Sequence, residues 1–118
     1  MRDWFDQAIQ PPATSGAVPI AGTRNSWDLA VTGEQWSQAT ESIAAGGGRL
    51  ISLWASRDTG GAHLVRAAFA ADAGVLVLTL RLAESQSHYP GLDQWFPSAG
   101  RMQRAIADLS GLYSTDAD

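Results

Sequence analysis

The chain has 118 residues, of which 45% are apolar, a net charge of −4 and no cysteine. This length is typical of a single domain with one core. The lack of cysteine excludes disulfides, thiolate nucleophiles and cysteine-held zinc or iron–sulfur sites. All eight basic residues are arginine and they lie scattered along the chain, so no basic patch predicts nucleic-acid binding.

The hydropathy of the chain predicts a cytoplasmic protein. No apolar stretch approaches the roughly 20 residues that span a bilayer. The first residues lack the basic end and the apolar run of a secretory signal. We therefore expect any contact with a membrane to be made through a partner.

Residues 1–25 are predicted to form an N-terminal arm and linker. Within them, residues 1–9 favour a short helix with Trp4 and Phe5 on one side, and residues 10–16 have the proline, serine and glycine content of a linker. A single domain is predicted over residues 26–113, followed by a polar tail at 114–118.

The domain is predicted to begin with a strand and a helix. Apolar residues alternate over 27–31, which is typical of a strand. Thr32 and Gln35 then match the Thr-x-x-Gln capping box that begins a helix. The glycine triplet 46–48 is expected to end that helix, because glycine adopts the left-handed cap conformation at little cost.

Three strands are predicted next, over residues 49–56, 63–71 and 75–82. Turn signals at 58–61 and 72–74 separate them, which favours an antiparallel meander. Four leucines at alternate positions give the third strand one fully apolar face: Leu76, Leu78, Leu80 and Leu82. We expect the helices to cover that face.

The last part of the domain is predicted to be an ordered loop followed by a helix. Two prolines and a glycine exclude regular structure over 89–97, and Ser98 is expected to cap the helix. Gly111 is expected to end it. Four apolar residues share one helical face by spacing: Met102, Ala105, Ile106 and Leu109. The predicted fold is a two-layer α+β domain of order β-α-β-β-β-α, with a mainly antiparallel sheet and helices on one face.

Motifs for chemistry are absent from the sequence. It contains no spaced metal-ligand pair, nucleophile elbow or dinucleotide fingerprint. His63 begins a strand and His88 lies in a polar loop, and an ordinary histidine is favoured at both positions. Arg104 and Asp108 are four residues apart, where they can touch along the helix surface. The sequence thus predicts no catalytic, cofactor-binding or metal-binding residue.

A resemblance to a known family lies in the stretch Tyr89–Leu112. The loop Tyr89–Leu92 and the helix entry Phe96–Ala99 match a signature whose helix reads Glu-Arg-Glu-x-x-Asp-Leu-x-Gly. Four residues match the helix in spacing: Arg104, Asp108, Leu109 and Gly111. The stretch resembles the signature of the 30-kDa (C-type) subunit of respiratory NADH dehydrogenase. The same domain begins the large subunit of formate-hydrogenlyase-like and hydrogenase-4-like NiFe hydrogenases. The two signature glutamates fall at Gln103 and Ala105.

This resemblance implies a non-catalytic assembly domain without a cofactor, in a membrane-associated NADH dehydrogenase-like or group 4 hydrogenase-like electron-transfer complex. The implied partners are the large subunit (49-kDa-like or NiFe) and the iron–sulfur subunits, which would hold the domain at the inner face of the cell membrane. The expected partner interface has six residues: Leu92, Trp95, Phe96, Arg101, Arg104 and Asp108. Without its partner, such a surface favours a homodimer.

Two other functions stay open at this point. One is a small-ligand-binding α+β domain with a cleft between the sheet and the last helix, which a buried polar cluster around His63 or Arg66 would favour. The other is a hydrolase, which requires a serine–histidine–acid cluster near His88.

Overall fold

A computed structural model describes residues 17–19, 26–71 and 74–115. The helix predicted at 1–9 and the linker at 10–16 lie outside the described residues, as does most of the tail. The elements in chain order are β1 Ala17–Pro19, β2 Ser26–Val31, α1 Gly33–Ala45, β3 Arg49–Arg57, β4 His63–Ala71, β5 Gly74–Leu82, β6 His88–Tyr89, α2 Ala99–Ser110 and β7 Tyr113–Ser114.

The predicted meander is confirmed and forms one side of the main sheet, whose strand order is β1-β2-β5-β4-β3. β3 pairs with β4, and β4 with β5, both antiparallel. The turn after β3 is built by Asp58, whose Oδ1 accepts from the N–H groups of Gly60 at 2.9 Å and Ala62 at 3.0 Å. Gly61 has a φ of 91° in this turn, a conformation that favours glycine.

The two remaining strand pairings of the main sheet were not predicted. β2 runs parallel to β5, with Ser26–Val31 opposite Val75–Leu80, and β1 lies antiparallel to β2 at the edge. A parallel pair needs a crossover connection, and the segment from α1 to β4 supplies it. β1 falls inside the segment 1–25 that the sequence assigned to an arm and linker.

The core lies between one face of this sheet and the two helices, as the α+β prediction requires. The four alternating leucines of β5 are all buried on that face: Leu76, Leu78, Leu80 and Leu82. α1 adds Trp36 and Ile43 to the same core, and α2 adds Ile106. The opposite face of β5 carries half-buried Val75 and Val77 and exposed Arg81.

Three of the four predicted helix ends are confirmed. Thr32 Oγ1 accepts from the N–H of Gln35 at 3.2 Å, and Gln35 Oε1 accepts from the N–H of Thr32 at 2.9 Å, so the capping box is present. α1 ends at Ala45 and is capped by Gly46, after which Gly47 has a φ of 86°. α2 ends at Ser110 and is capped by Gly111, which has a φ of 76°.

The prediction that Ser98 caps α2 is wrong. Ser98 has helical dihedrals and its side chain makes no capping bond. The N–H of Ala99 instead donates to the carbonyl of Phe96 at 2.8 Å. The helical conformation therefore begins before Ser98, and the carbonyl of Phe96 is the acceptor at the start of the helix.

Candidate partner surface

α2 buries a different face from the one that its apolar residues predict. The buried residues are Ala99, Gln103 and Ile106. Of the predicted apolar face, Ile106 is buried and Met102 half-buried, but Ala105 is exposed and Leu109 is 88% exposed. The prediction for Ala105 and Leu109 is corrected accordingly. The side of α2 away from the core carries five exposed residues: Arg101, Arg104, Ala105, Asp108 and Leu109. We call these five residues the α2 surface.

Gln103 faces inward because its amide group finds two partners there. Its Oε1 accepts from the backbone N–H of Leu92 at 2.7 Å, and its Nε2 donates to Ser114 Oγ at 3.3 Å. A buried polar side chain is stable only when its groups are bonded in this way. Gln103 thus holds both the loop before α2 and the strand after it.

A second bond fixes the same loop from α1. The indole Nε1 of Trp36, a fully buried side chain, donates to the carbonyl of Pro90 at 2.9 Å. The N–H of Thr115 donates to the carbonyl of Tyr89 at 2.8 Å. The ordered loop predicted over 89–97 is thus tied to both helices and to the segment after α2.

The α2 side chain that pins the loop to the helix is Gln103. Sequence reasoning missed it because position 103 counted as a departure from the signature. The spacing of residues 99, 103 and 106 could have indicated that Gln103 faces the core, since these positions lie on one side of a helix.

The six residues expected at a partner interface divide into three groups. Leu92 and Phe96 are 0% and 8% exposed, and the ring of Phe96 packs on Phe69 with centroids 5.4 Å apart. Both side chains belong to the core, which corrects their assignment to a partner surface. Trp95 is half-buried against the core. Three exposed residues remain, all on α2: Arg101, Arg104 and Asp108.

The charges of the α2 surface are unpaired within the described part of the chain. Arg104 and Asp108 form no ion pair, although their spacing permits one. The ion pair that the described residues do form joins Arg81 Nε to Asp58 Oδ2 at 3.1 Å, in the turn after β3. The guanidinium groups of Arg101 and Arg104 are therefore available to an external acceptor.

The pKa of Asp58 is determined by its contacts with Arg81 and with the backbone of the turn. Burial acts to raise the pKa of Asp58, but the hydrogen bond from Arg81 and those from the N–H groups of Ala62 and Gly60 lower it further than burial raises it. The net result is a pKa below the ordinary aspartate value. The Asp58 carboxylate is thus already bonded to Arg81 and to the backbone of the turn.

A cleft of about 240 Å³ lies beside the α2 surface. It is lined by Ala55, Ser56, Arg57, His63, Leu109 and Ser110. His63 is 7% exposed. The cluster of His63 with Arg66 that would favour a ligand-binding domain is not formed, because residues an odd number apart on a strand face opposite ways. Arg66 instead donates to Ser56 Oγ at 3.1 Å.

His88 does not lie in a catalytic cluster. Its Nδ1 is 3.2 Å from Ser87 Oγ, and both residues are exposed. No carboxylate of the described residues pairs with His88. A serine–histidine–acid triad therefore lacks its acid among these residues. Within residues 17–19, 26–71 and 74–115, no three metal-ligating side chains come together, and neither helix is long and apolar enough to cross a membrane.

Solved structures with this arrangement of elements identify the fold. A trypsin-resistant fragment of Nqo5 superposes with a TM-score of 0.79 over 98% of both chains, at 12% sequence identity. The chain has the Nqo5 fold. Nqo5 is a 30-kDa-type subunit of complex I, so the resemblance drawn from Tyr89–Leu112 is confirmed at the level of the fold. No family profile and no curated protein sequence matches the chain.

A second structure with the Nqo5 fold comes from the membrane-bound sulfane sulfur reductase, an archaeal respiratory membrane complex. The TM-score is 0.77 and the identity 10%, over 99% of this chain and 71% of the other. The fold thus occurs in two assemblies, although at these identities the likeness concerns the fold alone.

Proposed function

We propose that this chain is a non-catalytic assembly domain of a respiratory oxidoreductase complex of the NADH dehydrogenase or group 4 hydrogenase type. It docks through the α2 surface onto the large subunit, next to the iron–sulfur subunits. The observation that carries the proposal is Leu109, an apolar side chain that is 88% exposed on the helix of the family signature.

The chemistry around Leu109 supports a protein partner. A single exposed leucine is ordinary on a surface, but this one lies one residue from Asp108 and five from Arg104, neither of which is paired in the described part of the chain. Burying a leucine contributes roughly 1.5–3 kcal/mol, and arginine is enriched at interfaces. An apolar anchor with free guanidinium groups around it favours a partner that offers an apolar pocket and acceptors.

The rigidity of the loop also supports this function. Gln103 and Trp36 hold residues 90–92 against the domain through buried bonds. A rigid surface loses little conformational entropy when it binds. The domain can therefore fix the distance between neighbouring subunits, which is the task of a scaffold between electron carriers.

Co-purification from native cells tests the proposal. A tagged wild-type chain is expected to bring down a large subunit and iron–sulfur subunits, and Leu109→Asp is expected to lose them. Gln38→Asp is the matched control, because Gln38 is an exposed residue of the other helix. Equal thermal melting of the three chains would show that folding is intact.

Two results would contradict the proposal. One is a wild-type chain that brings down no redox subunit, and the other is a Leu109→Asp chain that keeps them all. A third measurement addresses catalysis directly. The purified chain is expected to show no NADH oxidation and no hydrogen uptake, and turnover without partners would overturn the non-catalytic assignment.

A further inference from the structure

Arg57, at the end of β3, is a cation without a counter-ion in the described part of the chain. The next residue, Asp58, is the nearest acid in sequence, but its carboxylate is already bonded. Its Oδ2 is 3.1 Å from Arg81 Nε, and its Oδ1 accepts from the N–H groups of Gly60 and Ala62. No other ion pair is formed by the described residues. The exposed guanidinium of Arg57 is therefore free to bind an outside anion.

The cleft of about 240 Å³ gives Arg57 a defined setting. Arg57 and His63 are directly opposite each other across β3 and β4, so their side chains leave the sheet on the same face. Buried His63 and exposed Arg57 both line the cleft. Ala55 and Leu109 are its apolar lining residues.

The volume of the cleft decides what it can hold. Sites for small molecules and cofactors usually measure roughly 300–1,000 Å³, and this cleft is smaller. Leu109, which belongs to the α2 surface, is one of its lining residues. The cleft is thus sized for one side chain and continuous with the surface on which a partner would dock.

We propose that this cleft receives an aspartate or glutamate side chain of the partner subunit, with the carboxylate on Arg57 and the carbon stem between Ala55 and Leu109. The inference rests on the proposed function and names the chemistry of its partner. A planar guanidinium binds a carboxylate through two parallel hydrogen bonds.

The composition of the chain permits a direct chemical test. It contains no lysine, so Arg57→Lys introduces the single side-chain amine of the protein. A water-soluble carbodiimide joins such an amine to a carboxylate in contact with it, forming an amide while the reagent takes up the elements of water. We expect the Arg57→Lys complex, treated in this way, to give a cross-link to an aspartate or glutamate of the large subunit, located by mass spectrometry.

Arg49→Lys is the matched control, because Arg49 is an exposed arginine at the other end of the same strand. It is expected to give no such cross-link. Arg57→Gln provides a second measurement and is expected to weaken partner binding about tenfold or more, since it leaves the partner's carboxylate unpaired. Arg49→Gln is expected to leave binding unchanged.

The outcomes separate this inference from the function on which it rests. If wild type binds its partner and Leu109→Asp does not, but Arg57→Lys gives no cross-link and Arg57→Gln binds normally, the cleft proposal is overturned and the assembly role stands. If wild type brings down no redox subunit, both are overturned. A cross-link at residue 57 together with weakened binding of Arg57→Gln supports both.

Discussion

The side chain of Gln103 accepts a hydrogen bond of 2.7 Å from the backbone N–H of Leu92, which lies 11 residues earlier in the chain. The bond joins the signature loop to the helix that follows it, at a point where both residues are buried. Because Gln103 is turned toward the core, Arg104 and Leu109 are turned away from it. The buried face of α2 thus includes this amide, and the face with Arg104 and Leu109 is exposed.

Replacing Gln103 with leucine is expected to destabilise the domain by about 1–3 kcal/mol. The N–H of Leu92 would then be buried without an acceptor, and an orphaned buried donor costs roughly this amount. Urea unfolding followed by tryptophan fluorescence measures the change. Gln94→Leu serves as the control, because Gln94 is an exposed glutamine of the same loop.

Gln103→Glu is expected to cost less than Gln103→Leu. A carboxylate still accepts from the N–H of Leu92, and the hydroxyl of Ser114 can turn to donate to it. Glutamate is also the residue that the resembling signature has at this position. If leucine and glutamate have equal effects, the bond to Leu92 does not hold the loop.

Trp36→Phe is expected to lower the free energy of unfolding by about 1–3 kcal/mol. It removes the donor to the carbonyl of Pro90 and leaves a void, because Trp36 is fully buried. The loop before α2 should also lose protection in amide hydrogen exchange. The control is Trp54→Phe, an exposed tryptophan on β3, for which a change near 0.5 kcal/mol or less is expected.

The free energy of unfolding should depend on pH through the ionisation of Asp58. Its pKa is lower in the folded chain than in the unfolded one, because the bonds from Arg81, Ala62 and Gly60 outweigh the effect of burial. Its contribution is therefore present above the ordinary aspartate pKa and is lost as the pH falls through the lowered folded value. Asp58→Asn should differ most from wild type at neutral pH and converge with it in acid.

Chemical denaturation at a series of pH values measures this difference. Asp108→Asn is the matched control, since Asp108 is exposed and makes no ion pair among the described residues. A difference between Asp58→Asn and wild type that stays constant with pH would contradict the role of Arg81 and the turn.

Local patterns in the sequence were sufficient to predict most of the domain. The alternating leucines of 76–82, the capping box at Thr32 and the glycines that end both helices act over short distances, and each is confirmed. The parallel pairing of β2 with β5 was not predicted, because it depends on how α1 crosses the sheet. No local pattern encodes that choice.

The candidate site was harder to predict for a related reason. Helical spacing placed Leu109 on the apolar face with Met102 and Ile106, but α2 is rotated so that Gln103 faces the core. The rotation depends on the N–H of Leu92 and the hydroxyl of Ser114, which only the tertiary fold brings near. Leu92 and Phe96 were assigned to a partner for the same reason, because the sequence does not indicate which residues of the chain bury them.

We expect the α2 surface to be covered by a partner in the assembled complex. Because the chain has no cysteine, Leu109→Cys introduces a unique thiol on that surface, and Gln38→Cys introduces one on the other helix. Maleimide labelling of each variant is compared between the purified chain and native membranes. We expect fast labelling of both thiols in the purified chain, and protection in membranes at position 109 alone. Labelling at 109 that is equally fast in membranes would contradict it.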